Sequence, residues 1–134
     1  MNKEILIVHT AWYQEYISKM LAISKKALED FNCTNAVAPG ALELAALAAQ
    51  KLQDSSFIGV LFLGIVIRGE TSHYELVTKE TFRSISSLSL NNYKLAIINN
   101  VICVENIEQL EARLVKNSTN NAKALIQLIH EKSS

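Results

Sequence analysis

The sequence predicts a single α/β domain built on a parallel sheet, and three observations predict it. Short β-branched apolar runs alternate with helix-period segments four times along the chain. That order places helices between parallel strands joined by right-handed crossovers. The run Phe57 to Ile67 is apolar on both faces, as a strand covered by helices on each side must be. The chain has 134 residues, is 49% hydrophobic, and contains only four Gly and one Pro. That suits one domain over 1–134 with few long loops, burying roughly two-thirds of its unfolded surface.

The elements follow in order. Ile5 to His9 is a short buried strand by its β-branched content. From Gln14 to Phe31 the residues Ile17, Met20, Leu21, Ala27, Leu28 and Phe31 recur at helical spacing. Asn32 to Val37 is a weaker strand, closed by the Pro39-Gly40 break. Leu42 to Leu52 is rich in Ala and Leu, both strong helix formers. Phe57 to Ile67 is the central strand, and Gly69 ends it. Ser72-His73-Tyr74-Glu75 matches a capping box and opens a helix to about Leu88. Leu95 to Val104 is the last strand, interrupted by Asn99-Asn100. Glu105 and Asn106 start a helix over Ile107 to Leu114. A polar stretch, Lys116 to Asn121, separates it from a final helix carrying Ala122, Leu125, Ile126 and Ile129.

Composition excludes several classes. Thirteen Lys+Arg balance thirteen Asp+Glu, which argues against nucleic acid as a partner. The longest apolar run is eleven residues, Phe57 to Ile67, against about twenty for a membrane helix. Cys33 and Cys103 form no C-x-x-C, and the start MNKEILIVHT has no long apolar h-region. Both features point to a cytoplasmic chain with free thiols rather than a disulfide scaffold. His9, His73 and His130 lack metal-ligand spacing, so no metal site is expected. The usual dinucleotide, nucleoside-triphosphate and serine-hydrolase fingerprints are missing too.

Ligands of open parallel sheets bind at the carboxyl ends of the strands. Four junctions of that kind exist: Thr10 to Tyr13, Ala38 to Glu43, Arg68 to His73, and Val104 to Asn106. In the third, Gly69, Thr71 and Ser72 precede a helix, so free N–H groups and the helix dipole would face an anion. His73 stands beside them, where an imidazole suits proton transfer. Taken alone, the segment also fits an ordinary capped turn with a surface histidine. Glu43 could accept hydrogen bonds from ligand hydroxyls or simply favour a helix N-terminus. Trp12 and Tyr13 could stack on a flat heterocycle, although packing is the commoner use of such aromatics.

Together the junctions carry a resemblance. The runs APGALEL (Ala38 to Leu44), LGIVIRGETSHYELV (Leu63 to Val77) and ENIEQ (Glu105 to Gln109) resemble the 6,7-dimethyl-8-ribityllumazine synthase family, in order and spacing, over about Glu4 to His130. The resemblance implies a three-layer flavodoxin-like sandwich around a four-stranded parallel sheet. It implies a transferase that condenses 5-amino-6-(D-ribitylamino)uracil with 3,4-dihydroxy-2-butanone 4-phosphate, in riboflavin biosynthesis. No metal or organic cofactor is implied. The implied partners are the small-molecule substrates and identical subunits, in a homopentamer or larger shell with active sites shared between neighbours.

Residue by residue, the resemblance gives Trp12 the stacking place on the pyrimidine. Ala41, Leu42 and Glu43 match the ribityl segment, with Glu43 as hydroxyl acceptor. Ile65, Val66 and Ile67 line the pyrimidine site through backbone groups. Glu70 and Thr71 match the backbone phosphate cradle, His73 the general acid/base, and Arg113 the arginine that pairs with phosphate. Three departures stand out. Asn120-Asn121-Ala122 replaces a segment that often holds a lysine, leaving Lys116 or Lys123 to compensate. Asn99 takes the place of an aromatic that a neighbouring subunit contributes to the pyrimidine pocket. The N-terminal arm is nearly absent. Asn99 and Asn121 also fit a non-catalytic flavin- or lumazine-binding homologue, and the assembly by itself fits an oligomeric scaffold.

Overall fold

The computed structural model describes residues 2–53 and 56–133. Four strands, β1 (Glu4–Thr10), β2 (Asn32–Ala38), β3 (Gly59–Ile67) and β4 (Ala96–Val104), form one sheet in the order β2-β1-β3-β4. Every pairing is parallel. The helices are α1 (Gln14–Ala27), α2 (Leu44–Gln53), α3 (Tyr74–Asn91) and α4 (Ile107–Ser133). All nine residues of β3 are buried, which accounts for a sequence apolar on both faces.

The period-two alternation of the strands divides the core. Ile5 and Ile7 of β1 face Ile17 and Met20 of α1 and Leu110, Leu114 and Leu125 of α4. Leu6 and Val8 face Leu44, Ala45 and Ala48 of α2 and Ile85 and Leu88 of α3. Two helices therefore cover each face, giving the three-layer α/β sandwich that the sequence predicts. No helix among the described residues is long and apolar enough to cross a membrane.

Several boundaries differ from the sequence-based expectation. Helix α1 ends at Ala27, not Phe31. The chain must turn there, because Asn32 N donates to Lys3 O at 2.8 Å to start β2 beside β1. The capping box at Ser72 does not form. Helix α3 begins at Tyr74 with His73 in the N-cap position and no side-chain cap, while Glu75 is drawn away to Arg68.

The expected break in the last helix is also absent: α4 is one helix of 27 residues. Its buried stripe Leu110, Leu114, Ser118, Ala122, Leu125, Ile129 passes through the polar stretch without interruption. Asn100 on β4 makes this possible. It is 2% exposed, donates to Ser118 Oγ at 3.2 Å and accepts from Asn121 Nδ2 at 2.7 Å. The Asn99-Asn100 interruption and the polar stretch of α4 are therefore the two halves of one buried network, which satisfies groups that would be costly unpaired. At the start of α4, Asn106 Oδ1 accepts from Gln109 N at 2.9 Å, and Gln109 Oε1 accepts from Glu105 N at 2.8 Å. That bears out the helix start expected there.

Candidate active site

The carboxyl edge of the sheet carries a cavity of about 510 Å³. Three junctions supply its walls. Trp12 and Tyr13 follow β1, Gly40 and Ala41 follow β2, and Ile65, Val66, Ile67, Glu70 and Thr71 end β3, with Val77 of α3 behind them. A larger cavity of about 600 Å³ lies at the opposite, amino-terminal edge, among residues such as Lys3, Ile58, Phe31 and Ile129. None of the predicted site residues lines it.

Trp12 is 67% exposed, so its ring is free to cover a ligand. The β1–α1 turn owes its shape to Tyr13, whose backbone is left-handed (φ 59, ψ 50). Holding a bulky residue there costs on the order of 1–3 kcal/mol. Tyr13 O accepts from Tyr16 N and Ile17 N, both at 2.9 Å, to begin α1. The Tyr13 hydroxyl donates to Glu70 Oε2 at 2.6 Å, so the first and third junctions are joined across the cavity. Burial, then the Glu70 carboxylate, pushes the phenol up to about 12.

On the second junction, Ala41 to Glu43 form one 3-10 turn. Glu43 folds back toward Gly40, where an added Cβ would come within 3.1 Å of Glu43 Oε1. On the third junction, Arg68 to Glu70 form another 3-10 turn. Thr71 N lies 3.5 Å from Arg68 O, and His73 N lies 3.4 Å from Thr71 Oγ1. Both contacts are at the weak limit, so these donors are available to an anion. Gly69 has no atom within 4 Å of an added Cβ, and no described glycine has positive φ; Gly69 is not a steric requirement of the turn itself.

The turn is held from below by Arg68. Its Nε lies 3.0 Å from Glu105 Oε2, it also pairs with Glu75, and its guanidinium stacks over Tyr74 at 4.3 Å from the ring centroid. Its charge is thus consumed by two carboxylates. Pairing with Arg68 holds the Glu75 carboxyl below its ordinary value. Nothing in the sequence marked this cluster, since Arg68, Glu75 and Glu105 meet only through the fold.

The predicted site residues divide into three groups. Trp12, Ala41, Ile65, Val66, Ile67, Glu70 and Thr71 line the cavity. Leu42, Glu43 and His73 sit on the turns beside it without lining it; Leu42 is 45% exposed. Asn99 and Arg113 are elsewhere. Asn99 lies mid-strand opposite Phe62, its Oδ1 accepting from Val101 N at 2.8 Å. Arg113 is exposed on α4 and forms no salt bridge among the described residues. Asn121 faces β4, and Lys116 and Lys123 are exposed. Tyr13, Gly40 and Val77 also line the cavity; Tyr13 is the second aromatic at the end of β1, and Gly40 and Val77 lie within the runs APGALEL and LGIVIRGETSHYELV, without a role assigned to either from the sequence. Cys103 is pushed up to about 11 by burial and Cys33 is raised for the same reason, as expected of inert thiols. Among the described residues no group of three His, Cys, Asp or Glu could hold a metal ion.

The sequence model of the 6,7-dimethyl-8-ribityllumazine synthase family matches residues 2–133. The chain belongs to that family. Lumazine synthases from several bacteria align with it over most of their length. The Sphingopyxis alaskensis protein is 39% identical over 114 residues, 84% of this chain and 79% of that one. The Methylobacillus flagellatus protein is 37% identical over 108 residues, covering 81% of this chain and 72% of its own. The Neisseria meningitidis serogroup C protein is 32% identical over 126 residues, 90% of this chain and 79% of that one. The parallel α/β architecture is consistent with the lumazine synthase family.

Proposed function

We propose that this chain, a single domain over 1–134, is a cytoplasmic lumazine synthase. It condenses 5-amino-6-(D-ribitylamino)uracil with 3,4-dihydroxy-2-butanone 4-phosphate at the carboxyl edge of its sheet. One observation carries the placement: a single cavity gathers Trp12, Ala41, Ile65 to Ile67, Glu70 and Thr71 from three separate junctions. Its aromatic and aliphatic walls suit a flat pyrimidine. Its rim at Glu70 to His73 offers backbone donors to a phosphate.

In this reading Trp12 stacks on the pyrimidine and the backbone of Ile65 to Ile67 hydrogen-bonds its edge. Ala41 and Leu42 flank the ribityl chain, and Glu43 accepts its hydroxyls. The substrate amine attacks the ketone, water leaves to give an imine, and phosphate is eliminated. The ring closes when the ribitylamino nitrogen attacks the remaining carbonyl and a second water leaves. Each step moves a proton, and His73, at the rim beside the phosphate turn, supplies or removes it, a gain of roughly a hundredfold or more. Holding two substrates in register contributes more, because a bimolecular condensation gains strongly from proximity.

Arg113 and Asn99 stand off the cavity of their own chain, which supports a site shared between subunits. Each then reaches the cavity of a neighbour in a homopentamer, Arg113 toward the phosphate and Asn99 toward the pyrimidine. Exposed apolar side chains, including Leu76, Phe82 and Leu90 on α3 and Val37 on edge strand β2, give such an assembly surface to bury. The test is direct. Mixing both substrates with purified protein should produce lumazine fluorescence well above the uncatalysed background; a rate equal to background refutes the proposal.

A further inference from the structure

The Tyr13 ring packs against the α1–α4 side of the core, a role phenylalanine would fill equally well. Its hydroxyl requires a separate reason. That hydroxyl reaches Glu70, 57 positions away in sequence, at 2.6 Å. It does so from the one described non-glycine residue with positive φ, so the chain tolerates backbone strain at this point. Glu70 meanwhile poses an electrostatic conflict. It belongs to the turn whose backbone donors face the phosphate, yet it carries a negative charge on that turn. A like charge within a few ångströms opposes the binding of an anion.

We propose that Tyr13 is a positioning residue for the phosphorylated substrate. Its hydroxyl holds the Glu70 carboxylate on the Tyr13 side of the cavity, so that the donors of the turn from Glu70 to His73 meet the phosphate unopposed. The inference rests on the proposed function and adds to it a residue that acts through another. With its phenol pushed up to about 12, Tyr13 remains a donor throughout the neutral range. Arg68 cannot take this part, because Glu75 and Glu105 already occupy it.

Three proteins test this: wild type, Tyr13→Phe, and Tyr13→Phe combined with Glu70→Gln. Steady-state kinetics with both substrates and calorimetric titration with inorganic phosphate are the readouts. Tyr13→Phe should raise KM for the phosphorylated substrate and Kd for phosphate by roughly five- to tenfold, the scale of a lost hydrogen bond to a charged group. KM for the ribitylaminouracil should stay within about twofold, since that substrate carries no phosphate. Adding Glu70→Gln should restore most of the phosphate affinity, because it removes the charge that Tyr13 restrains. A Tyr13→Phe variant with unchanged phosphate affinity overturns the inference. So does a double variant without recovery, which would mark Tyr13 as merely structural. If the wild type makes no lumazine, the functional reading fails, and the phosphate titrations still decide the role of Tyr13.

Discussion

His73 stands at the N-cap of α3 with φ −128 and ψ 44, one residue outside the helix proper. Its exposed ring is therefore free to address a ligand at the rim, rather than being fixed by helical packing. His73→Ala should lower kcat roughly a hundredfold, with little change in either KM, if the ring works in proton transfer. Equal kcat in the variant and the wild type would remove His73 from the chemistry. Arg113 has a different signature. Because it would add charge attraction to bound phosphate, Arg113→Ala should raise KM for the phosphorylated substrate roughly tenfold or more and leave the other KM alone. Unchanged KM for the phosphorylated substrate would count against that role.

Helix α4 shows how an element can contradict its own local composition. The stretch from Lys116 to Asn121 has the polarity of a linker, but Ser118 is fully buried and its hydroxyl accepts from Asn100. Asn121 completes the network by donating to Asn100 Oδ1. Asn121→Ala should therefore cost about 1–3 kcal/mol, since it strands a buried acceptor rather than removing a surface contact. Chemical denaturation would measure it as a lower midpoint at constant m-value; a loss below about 0.5 kcal/mol, the range of ordinary surface substitutions, would show that the network does not hold α4. The 3-10 turn from Arg68 to Glu70 is secured in a comparable way, by Arg68 reaching Glu75 on α3 and Glu105 before α4. Three segments thus converge at the cavity rim, which places the turn on rigid supports.

At the scale of the molecule, the sheet brings the first three strand ends to one cavity and leaves Arg113 and Asn99 outside it. The proposed shared site requires an assembly for activity. Light scattering should report five times the monomer mass, or a multiple of that for a closed shell. A monomeric, fully active protein would overturn the shared site.

The alternation of strand and helix, the buried central strand and the break at Pro39-Gly40 were legible from residue order, because hydrophobic period and backbone restriction are local properties. The run from Leu63 to Val77 likewise carried its family identity in linear sequence. The continuity of α4, the pairing of Asn100 with Ser118 and Asn121, the position of His73 at a cap, and the Tyr13–Glu70 and Arg68–Glu105 contacts were not legible. The contacts join groups distant in sequence, so their energy exists only once the sheet has brought the partners together, and the helix limits depend on them. Residue order was enough for the layers this protein builds and for its family, because both rest on local pattern. Which charges neutralise one another emerged only in the folded chain, because a charge or polar group is satisfied by what lies beside it in space.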